Sequence, residues 1–183
     1  MVKIVLIKPN KEYEQQAKEF IREFIDKKSQ INGTGSLEKY IDKYDEWLRI
    51  IEIFEREINL KEGYVPASTY FAIREEDNII VGMTNIRHRL TDELLMHGGH
   101  IGYCVRPTER KKGYATDILC LAIEKCNKLG IEKVLVTCDK NNIGSAKAIQ
   151  NNFAVLENEI MDDDILYQRY WIDVKYVIEN KYR

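Results

Sequence analysis

Hydrophobic positions follow a helical period in the first third of the chain. Apolar residues recur every three to four positions over 11–28 and again over 37–60, so both segments are predicted to be amphipathic helices. Ser36 stands at the N-cap position of the second helix. A short apolar run over 2–7, ended by Lys8 and Pro9, predicts a strand before them.

From residue 68 onward the pattern changes to short apolar runs separated by polar turns. It predicts strands over 68–74, 79–90, 100–105, 133–138, 153–160 and 166–174, with helices over 113–129 and 142–152. The order of elements is therefore β, α, α, β, β, β, α, β, α, β, β, without an internal repeat or a linker. This order predicts one α+β domain with a mixed sheet.

Composition and charge narrow the class of protein. The chain has 183 residues, 44% of them hydrophobic, and a net charge of −2 that offers no general attraction to nucleic acid or to an anionic membrane. No run approaches the ~18 apolar residues of a membrane span. The N-terminal segment lacks the features of a secretory signal, and the cysteines and histidines show no metal-ligand spacing. We therefore expect a cytoplasmic protein with reduced thiols, no bound metal, and no nucleic-acid or membrane partner.

The loop after the strand over 100–105 carries the candidate chemistry. It reads Arg110-Lys111-Lys112-Gly113-Tyr114-Ala115 and leads into the helix over 113–129. A helix N-terminus offers unpaired N–H groups and partial positive charge, which suit a pyrophosphate. Gly113 lets the backbone approach phosphate oxygens, and Thr116 adds a hydroxyl. Taken alone, the loop leaves open a second interpretation, a solvated basic surface at a helix start.

The order of the flanking elements strengthens the first interpretation. With that order included, the sequence resembles the GNAT N-acetyltransferase superfamily. The family signature Arg/Gln-x-x-Gly-x-Gly/Ala lies between its fourth strand and third helix and is matched by Arg110, Gly113 and Ala115. A downstream Asn-x-x-Ser/Ala helix start is matched by Asn142 and Ser145.

The resemblance implies a fold, which is a mixed, mostly antiparallel sheet that is splayed between the fourth and fifth strands and flanked by helices. A single GNAT-like domain is expected over 1–183. The resemblance is loose over 1–67, where it implies a first strand and acceptor-side helices. It is close over 68–174, where it implies the cofactor-binding core.

The resemblance also implies acetyl-CoA as the acyl donor. Its pantetheine arm is expected along the open edge of the fourth strand, with Asn142 and Ser145 across the gap. The residues implied to contact the arm and the pyrophosphate are Tyr103, Cys104, Val105, Arg110, Lys111, Lys112, Gly113, Tyr114, Ala115 and Thr116.

The expected acid catalyst is missing from the sequence. Many family members place a tyrosine in the helix after the fifth strand, and Ile149 stands at that position here. The glycine that usually follows is replaced by Phe153. A CoA-binding sensor or scaffold without catalysis is therefore the alternative to an enzyme. An unrelated nucleotide-binding domain is less favoured, because the loop lacks the spacing of other phosphate-binding motifs.

Two residues are candidates for the remaining chemistry, in which an amine attacks the thioester directly. An alkyl amine with a pKa of about 10.4 is mostly protonated at pH 7, so a base assists it. His100 titrates in a suitable range, although a structural histidine is the alternative. Tyr103 points either into the site or into the core. The acceptor is expected to be an amine of a small molecule or peptide, and its identity, the acyl chain and a homodimeric state are left open.

Overall fold

Seven strands form two antiparallel sheets in the computed structural model, which describes residues 3–181. In the first sheet the spatial order is β1 (Ile4–Ile7), β2 (Ala67–Arg74), β3 (Ile79–Arg87) and β4 (Ile101–Val105). The second sheet consists, in spatial order, of β5 (Lys133–Asp139), β7 (Ile165–Asp173) and β6 (Val155–Asp162). The predicted α+β fold with a sheet splayed between the fourth and fifth strands is confirmed.

The helices pack on the two faces of these sheets. They are α1 (Glu14–Asp26), α2 (Tyr44–Glu55), α3 (Asp92–His97), α4 (Tyr114–Lys128), α5 (Ile143–Gln150) and α6 (Val174–Asn180). Short 3₁₀ turns lie at Lys11–Tyr13, Leu37–Lys39 and Pro107–Glu109. Within residues 3–181, none of the helices is long and apolar enough to cross a membrane.

The predicted second helix begins later than the sequence indicated. Ser36 has a positive φ of 65° and makes no side-chain capping bond, so it does not cap a helix. The chain makes one 3₁₀ turn, leaves helical geometry at Lys43, and enters α2 at Tyr44. The apolar spacing over 37–60 therefore combined two separate elements. Val2, predicted to lie in the first strand, is outside the described residues.

Two further helices were not predicted. Thr91 caps α3 by accepting a hydrogen bond from the Leu94 N–H at 3.3 Å, and Asp173 caps α6 in the same way from the Tyr176 N–H at 2.9 Å. α3 has 6 residues and α6 has 7, which is about two helical turns each. So short a hydrophobic period does not distinguish α3 from a loop or α6 from the end of a strand.

Buried side chains pack on both faces of the first sheet. One cluster joins the sheet to α1 and α2, with Phe20, Phe24 and Trp47 fully buried. The other joins it to α4 and to the second sheet, with Ile123 and Ile149 fully buried. Each such side chain contributes roughly 1.5–3 kcal/mol by leaving water. The two clusters hold β4 between them, so the position of β4 is strongly determined.

Candidate active site

The first contact between the two sheets is made by His100, immediately before β4. Its N–H donates to the Leu135 carbonyl at 2.8 Å, and its ring Nδ1 accepts from the Leu135 N–H at 3.0 Å. Gly99 makes room for this approach, because a Cβ there would lie 2.5 Å from the Leu135 oxygen. We call this junction the closed end of the gap between β4 and β5, and the region beyond it the open end.

His100 is therefore held as a neutral acceptor. Burial, with a smaller contribution from the positive charge of Arg87, lowers the pKa of His100 to about 4. A neutral imidazole has one lone-pair nitrogen, and here that nitrogen is bonded to the Leu135 N–H. The geometry favours a structural role for His100 over that of the predicted base.

The hydrogen-bond pattern between β3 and β4 shows which main-chain groups face the gap. At one end the Arg87 N–H donates to the His100 carbonyl at 2.8 Å, and at the other the Arg106 N–H donates to the Val81 carbonyl at 2.8 Å. In an antiparallel pair, successive residues of a strand direct their main-chain groups to opposite sides. Both edges of β4 are thereby assigned residue by residue.

This alternation separates the three residues predicted to line the pantetheine arm. Cys104 lies opposite Met83, and its main-chain groups point toward β3. Tyr103 and Val105 direct theirs toward the open end of the gap. The Cys104 thiol is buried, which raises its pKa to about 12, so it is not a nucleophile at neutral pH. The open edge therefore consists of Tyr103 and Val105, without Cys104.

Consecutive main-chain N–H groups lie unpaired where the gap opens. Within residues 3–181, no protein atom accepts a hydrogen bond from the N–H groups of residues 111–115. Lys111 and Gly113 have positive φ angles of 64° and 89°, and runs of N–H groups in such conformations form anion-binding concavities. A Cβ on Gly113 would meet nothing within 4 Å. The chain thus presents an unobstructed set of donors at the start of α4.

The basic side chains of the loop differ in what they contact: Arg110 bonds to other parts of the protein, whereas Lys111 and Lys112 stay beside the unpaired N–H groups. Arg110 stays exposed but lies along the end of β4 and the end of α1, where its Nε donates to the Val105 carbonyl at 3.3 Å and its Nη2 donates to Ser29 Oγ at 2.6 Å. Its guanidinium also lies 5.6 Å from the ring centre of Phe24. Arg110 therefore braces the end of β4 against α1, whereas the sequence predicted that it would supply charge to the phosphates.

Lys111 and Lys112 remain exposed beside the unpaired N–H groups. Lys112 Nζ lies 2.9 Å from Glu109 Oε2, and the same oxygen accepts from Arg74 Nη1 at 2.7 Å. Arg74 also donates to the Tyr114 hydroxyl at 3.2 Å. These contacts hold the loop against β2.

The first turn of α4 contains the remaining predicted loop residues. Ala115 keeps its N–H free, whereas the Thr116 N–H donates to the Gly113 carbonyl at 3.0 Å. The Thr116 carbonyl accepts from the Asn152 side chain at 3.1 Å, which ties α4 to the end of α5. The Thr116 main chain is therefore not available to a ligand in the way that the preceding residues are.

Across the gap, the start of α5 faces Tyr103. Asn142 caps this helix, and its Oδ1 accepts from the Ser145 N–H at 3.0 Å. The Ser145 hydroxyl lies 2.8 Å from the Tyr103 hydroxyl. Burial raises the pKa of Tyr103 to about 12, and the bond with Ser145 offsets only part of that effect. Tyr103 thus spans the gap, with its ring partly in the core and its hydroxyl at the site.

The position of the missing tyrosine is part of the core. Ile149 is fully buried on the inner face of α5. Phe153 has a positive φ of 60°, a conformation that favours glycine, and its ring packs against Tyr176 with centroids 5.4 Å apart. The backbone thus keeps the shape that the usual glycine would adopt, while the side chain makes a new contact.

The segment between α1 and α2 covers the other face of β4. A Cβ on Gly33 would lie 2.2 Å from the Gly102 carbonyl oxygen, so this segment runs directly over the strand. The Gly35 carbonyl accepts from the Trp47 indole at 2.9 Å, which anchors the segment to α2. Tyr44 and Trp47 are buried core residues, 2% and 0% exposed, and do not line a pocket at the gap.

A carboxylate outside the predicted site also contacts the loop. Glu23, on α1, accepts a bond from Arg106 Nε and another from the Thr108 N–H, both at 2.7 Å. The partners lie 83 and 85 positions further along the chain. No local pattern identifies such a pair, and on sequence alone Glu23 reads as a polar position of an amphipathic helix.

The family assignment follows from a sequence comparison. Residues 15–152 match the model of the acetyltransferase (GNAT) domain, which is well over half of the chain. The chain belongs to this family, and the resemblance inferred from the sequence is confirmed. A search of curated protein sequences finds no match.

Solved structures share the fold at low sequence identity. The microcin C7 self-immunity acetyltransferase MccE, in complex with acetyl-CoA and AMP, has a TM-score of 0.66 at 15% identity, covering 93% of this chain and 92% of that one. Ribosomal-protein-S5-alanine acetyltransferase from Vibrio fischeri has a TM-score of 0.64 at 14% identity, covering 93% and 91%. A chimeric spermidine N-acetyltransferase SpeG from Vibrio cholerae has a TM-score of 0.64 at 10% identity, covering 97% and 99%.

Proposed function

We propose that this chain is an acetyl-CoA-dependent N-acetyltransferase that moves an acetyl group to an amine of a small molecule or peptide. The observation that supports this most is the run of unpaired N–H groups over 111–115 at the open end of the gap. Membership of the GNAT acetyltransferase family supports it independently. Together they favour a donor whose pyrophosphate binds at the start of α4.

The proposed donor site has two parts. The N–H groups over 111–115 and the exposed charges of Lys111 and Lys112 would bind the pyrophosphate, because unpaired donors and positive charge at a helix N-terminus attract anions. The main-chain groups of Tyr103 and the N–H of Val105, whose carbonyl already accepts from Arg110, would bond to the amides of the pantetheine arm, as an added strand does at an open edge. Such a donor would have its thioester between β4 and α5.

The proposed reaction needs no covalent enzyme intermediate. The neutral amine attacks the thioester carbonyl carbon, the C–S bond breaks, and the proton lost by the amine passes to water. The Tyr103 pKa of about 12 exceeds the roughly 8.5 of a thiol. Tyr103 therefore serves better by hydrogen-bonding the departing thiolate than by giving up its proton, and Ser145 holds the hydroxyl in place.

The acceptor is proposed only as a class. The names of the structural neighbours refer to an alanine of a ribosomal protein and to spermidine, so a peptide with N-terminal alanine and spermidine are the first amines to test. A cytoplasmic location and a homodimer stay predictions from the sequence. Release of the CoA thiol with a panel of amines distinguishes an enzyme from a CoA-binding sensor, which would bind the donor and release no thiol with any of them.

The first experiment tests the donor loop by thermal unfolding with and without acetyl-CoA. Ligand at about 100 times its Kd should add roughly 2.7 kcal/mol to the free energy of unfolding. Gly113→Glu should abolish this gain, because it places an anion among the phosphate-binding N–H groups. Gly130→Glu is the matched control. Gly130 lies just past the other end of α4, also has a positive φ, and also has open space at its Cβ.

The stabilisation by acetyl-CoA is compared among the wild type, Gly113→Glu and Gly130→Glu. Stabilisation of the wild type and of Gly130→Glu, with none for Gly113→Glu, supports the proposed donor site. If acetyl-CoA stabilises all three equally, the ligand binds elsewhere. If it stabilises none of them, the proposed function fails.

A further inference from the structure

Glu23 connects α1 to the loop that follows β4. Its Oε2 accepts from Arg106 Nε at 2.7 Å, and its Oε1 accepts from the Thr108 N–H at 2.7 Å. The Glu23 and Arg106 side chains are only 16% and 18% exposed. Both carboxylate oxygens are thus committed to a single loop, and one donor belongs to the main chain.

The residues that Glu23 contacts, Arg106 and Thr108, come a few positions before the N–H groups proposed to bind phosphate. Pro107–Glu109 forms a 3₁₀ turn, and the orientation of this turn determines where the chain starts its run toward α4. On the opposite side, Arg74 holds Glu109 at 2.7 Å. The loop is therefore fixed from α1 by the two bonds of Glu23 and from β2 by the ion pair of Arg74 with Glu109. Without them, a loop that includes a non-glycine residue at positive φ would sample other conformations.

We propose that Glu23 is a positioning residue for donor binding, which fixes the loop over 106–113 in the conformation that directs its N–H groups toward the open end of the gap. This inference rests on the proposed function, since it concerns the affinity for acetyl-CoA at that loop. Fixing a binding loop before the ligand arrives removes the cost of ordering it on binding.

A positioning role and simple electrostatics predict opposite effects of the Glu23 charge on the affinity for acetyl-CoA. Burial alone would raise the pKa of Glu23, but the bonds from Arg106 and Thr108 outweigh it and hold the pKa below its usual value. Glu23 is therefore negatively charged at neutral pH and close to a site for an anion. If charge alone mattered, neutralising Glu23 would tighten the binding of acetyl-CoA. If Glu23 positions the loop, the same change weakens it.

The test is isothermal titration calorimetry with acetyl-CoA on the wild type and on Glu23→Gln. The glutamine side chain has one oxygen acceptor where the carboxylate has two, so one donor of the loop loses its partner. We expect the Kd to rise about tenfold. Glu14→Gln is the matched control. Glu14 lies on the same helix, pairs with Lys11 at 2.8 Å and Lys18 at 2.7 Å, and makes none of its ion pairs with the loop. Its Kd should stay within about twofold of the wild type.

A purely structural role is excluded by a second readout. If Glu23 only stabilised the fold, Glu23→Gln would lower the free energy of unfolding without ligand and leave the Kd for acetyl-CoA unchanged. An unchanged or lower Kd in the folded variant overturns the proposal. Arg106→Gln removes one of the two bonds and should raise the Kd by about threefold. Arg106→Lys keeps the positive charge but has no guanidinium Nε to donate to Glu23, so a raised Kd in this variant provides the test if Glu23→Gln does not fold.

A double variant tests whether Glu23 acts through its contact with Arg106. Because Glu23 and Arg106 act through one contact, Glu23→Gln combined with Arg106→Gln should raise the Kd by less than the product of the two single effects. Multiplicative effects would mean independent roles and contradict the proposal. Failure of the proposed function is recognised separately, because the wild type would then bind no acetyl-CoA.

Discussion

At the closed end of the gap between β4 and β5, His100 and Leu135 satisfy each other's polar groups, with donor and acceptor at 2.8 and 3.0 Å. At the open end, Tyr103 and Val105 belong to the same strand but direct their main-chain groups to an edge that no other strand pairs with in the described part of the chain. A few residues of the chain separate a structural junction from the edge proposed to bind the donor.

The two ends also use glycine differently. Gly99 and Gly113 both have positive φ, 67° and 89°. At Gly99 the missing Cβ allows β5 to approach, whereas at Gly113 nothing lies within 4 Å. The same residue type therefore permits close packing at one end and leaves room for a ligand at the other. The predictions below test this contrast, beginning with the largest expected effect.

Gly99→Ala should disrupt the closed end. Its Cβ would lie 2.5 Å from the Leu135 oxygen, and overlap plus left-handed strain should cost about 3 kcal/mol of unfolding free energy. Gly113→Ala pays only the strain, about 1 kcal/mol. Urea unfolding of both variants measures the difference. Equal losses would show that the close approach at Gly99 does not contribute to stability.

The closed end should also weaken in acid. The pKa of His100 is about 4 in the folded protein and near 6.5 when unfolded, so on acidification the unfolded chain takes up this proton first. The contribution of His100 to the free energy of unfolding is therefore fully present above pH 6.5. It declines as the pH falls toward 4, by an amount on the order of 3 kcal/mol.

His100→Asn isolates this effect, because asparagine keeps an acceptor and does not titrate. We expect the urea unfolding free energy of the wild type to fall more steeply than that of the variant between pH 6.5 and 4. Parallel pH profiles would contradict the assignment of His100 as a neutral acceptor. The carboxylates lose their contributions in both proteins alike, so they cancel in the comparison.

The open end is tested through the hydroxyl of Tyr103. Tyr103→Phe removes the group that lies 2.8 Å from Ser145 Oγ. Because a thiolate leaves with modest help, we expect acetyl transfer to slow about tenfold, with the Kd for acetyl-CoA unchanged. Thiol release with the first amine found to be a substrate measures the rate.

Tyr170→Phe is the control for that measurement. The Tyr170 hydroxyl donates to Gln168 at 2.8 Å on β7 and accepts from Gln150 at 3.3 Å, so this variant also loses the hydrogen bonds of a partly buried hydroxyl. It should leave the rate unchanged. If Tyr103→Phe is equally active, Tyr103 has no role in the reaction and the thiolate departs without it.

The fold was predictable where the pattern was long and regular. The apolar spacing of α1 and α4 and the runs of β2 and β5 were correctly identified, because each contains several periods of its signal. The segment over 37–60 was assigned as one helix, although it is a 3₁₀ turn followed by α2. Its apolar residues keep helical spacing across the break, since Tyr44 and Trp47 of α2 pack into the same core as Leu37 of the 3₁₀ turn.

The candidate site was predictable to a similar degree. The positive φ of Gly113 and the free N–H groups agree with a phosphate-binding loop, a role that remains a proposal. The contacts of the Arg110 guanidinium were not predictable, because its partners Ser29 and Phe24 come from α1 and its end. The direction of the Cys104 main chain depends on its register with β3, which a strand pattern does not contain.

Local order along the chain was enough to determine the helix-start loop over 110–115 and the family signature within it, because glycine, charge and helix capping act over a few residues. Tertiary structure decided which distant residues the side chains of the loop and the gap contact. The contacts of Glu23 with Arg106, of His100 with Leu135 and of Tyr103 with Ser145 join residues 83, 35 and 42 positions apart. Such pairs depend on how the strands and helices pack, because neither partner carries a local signal of the other.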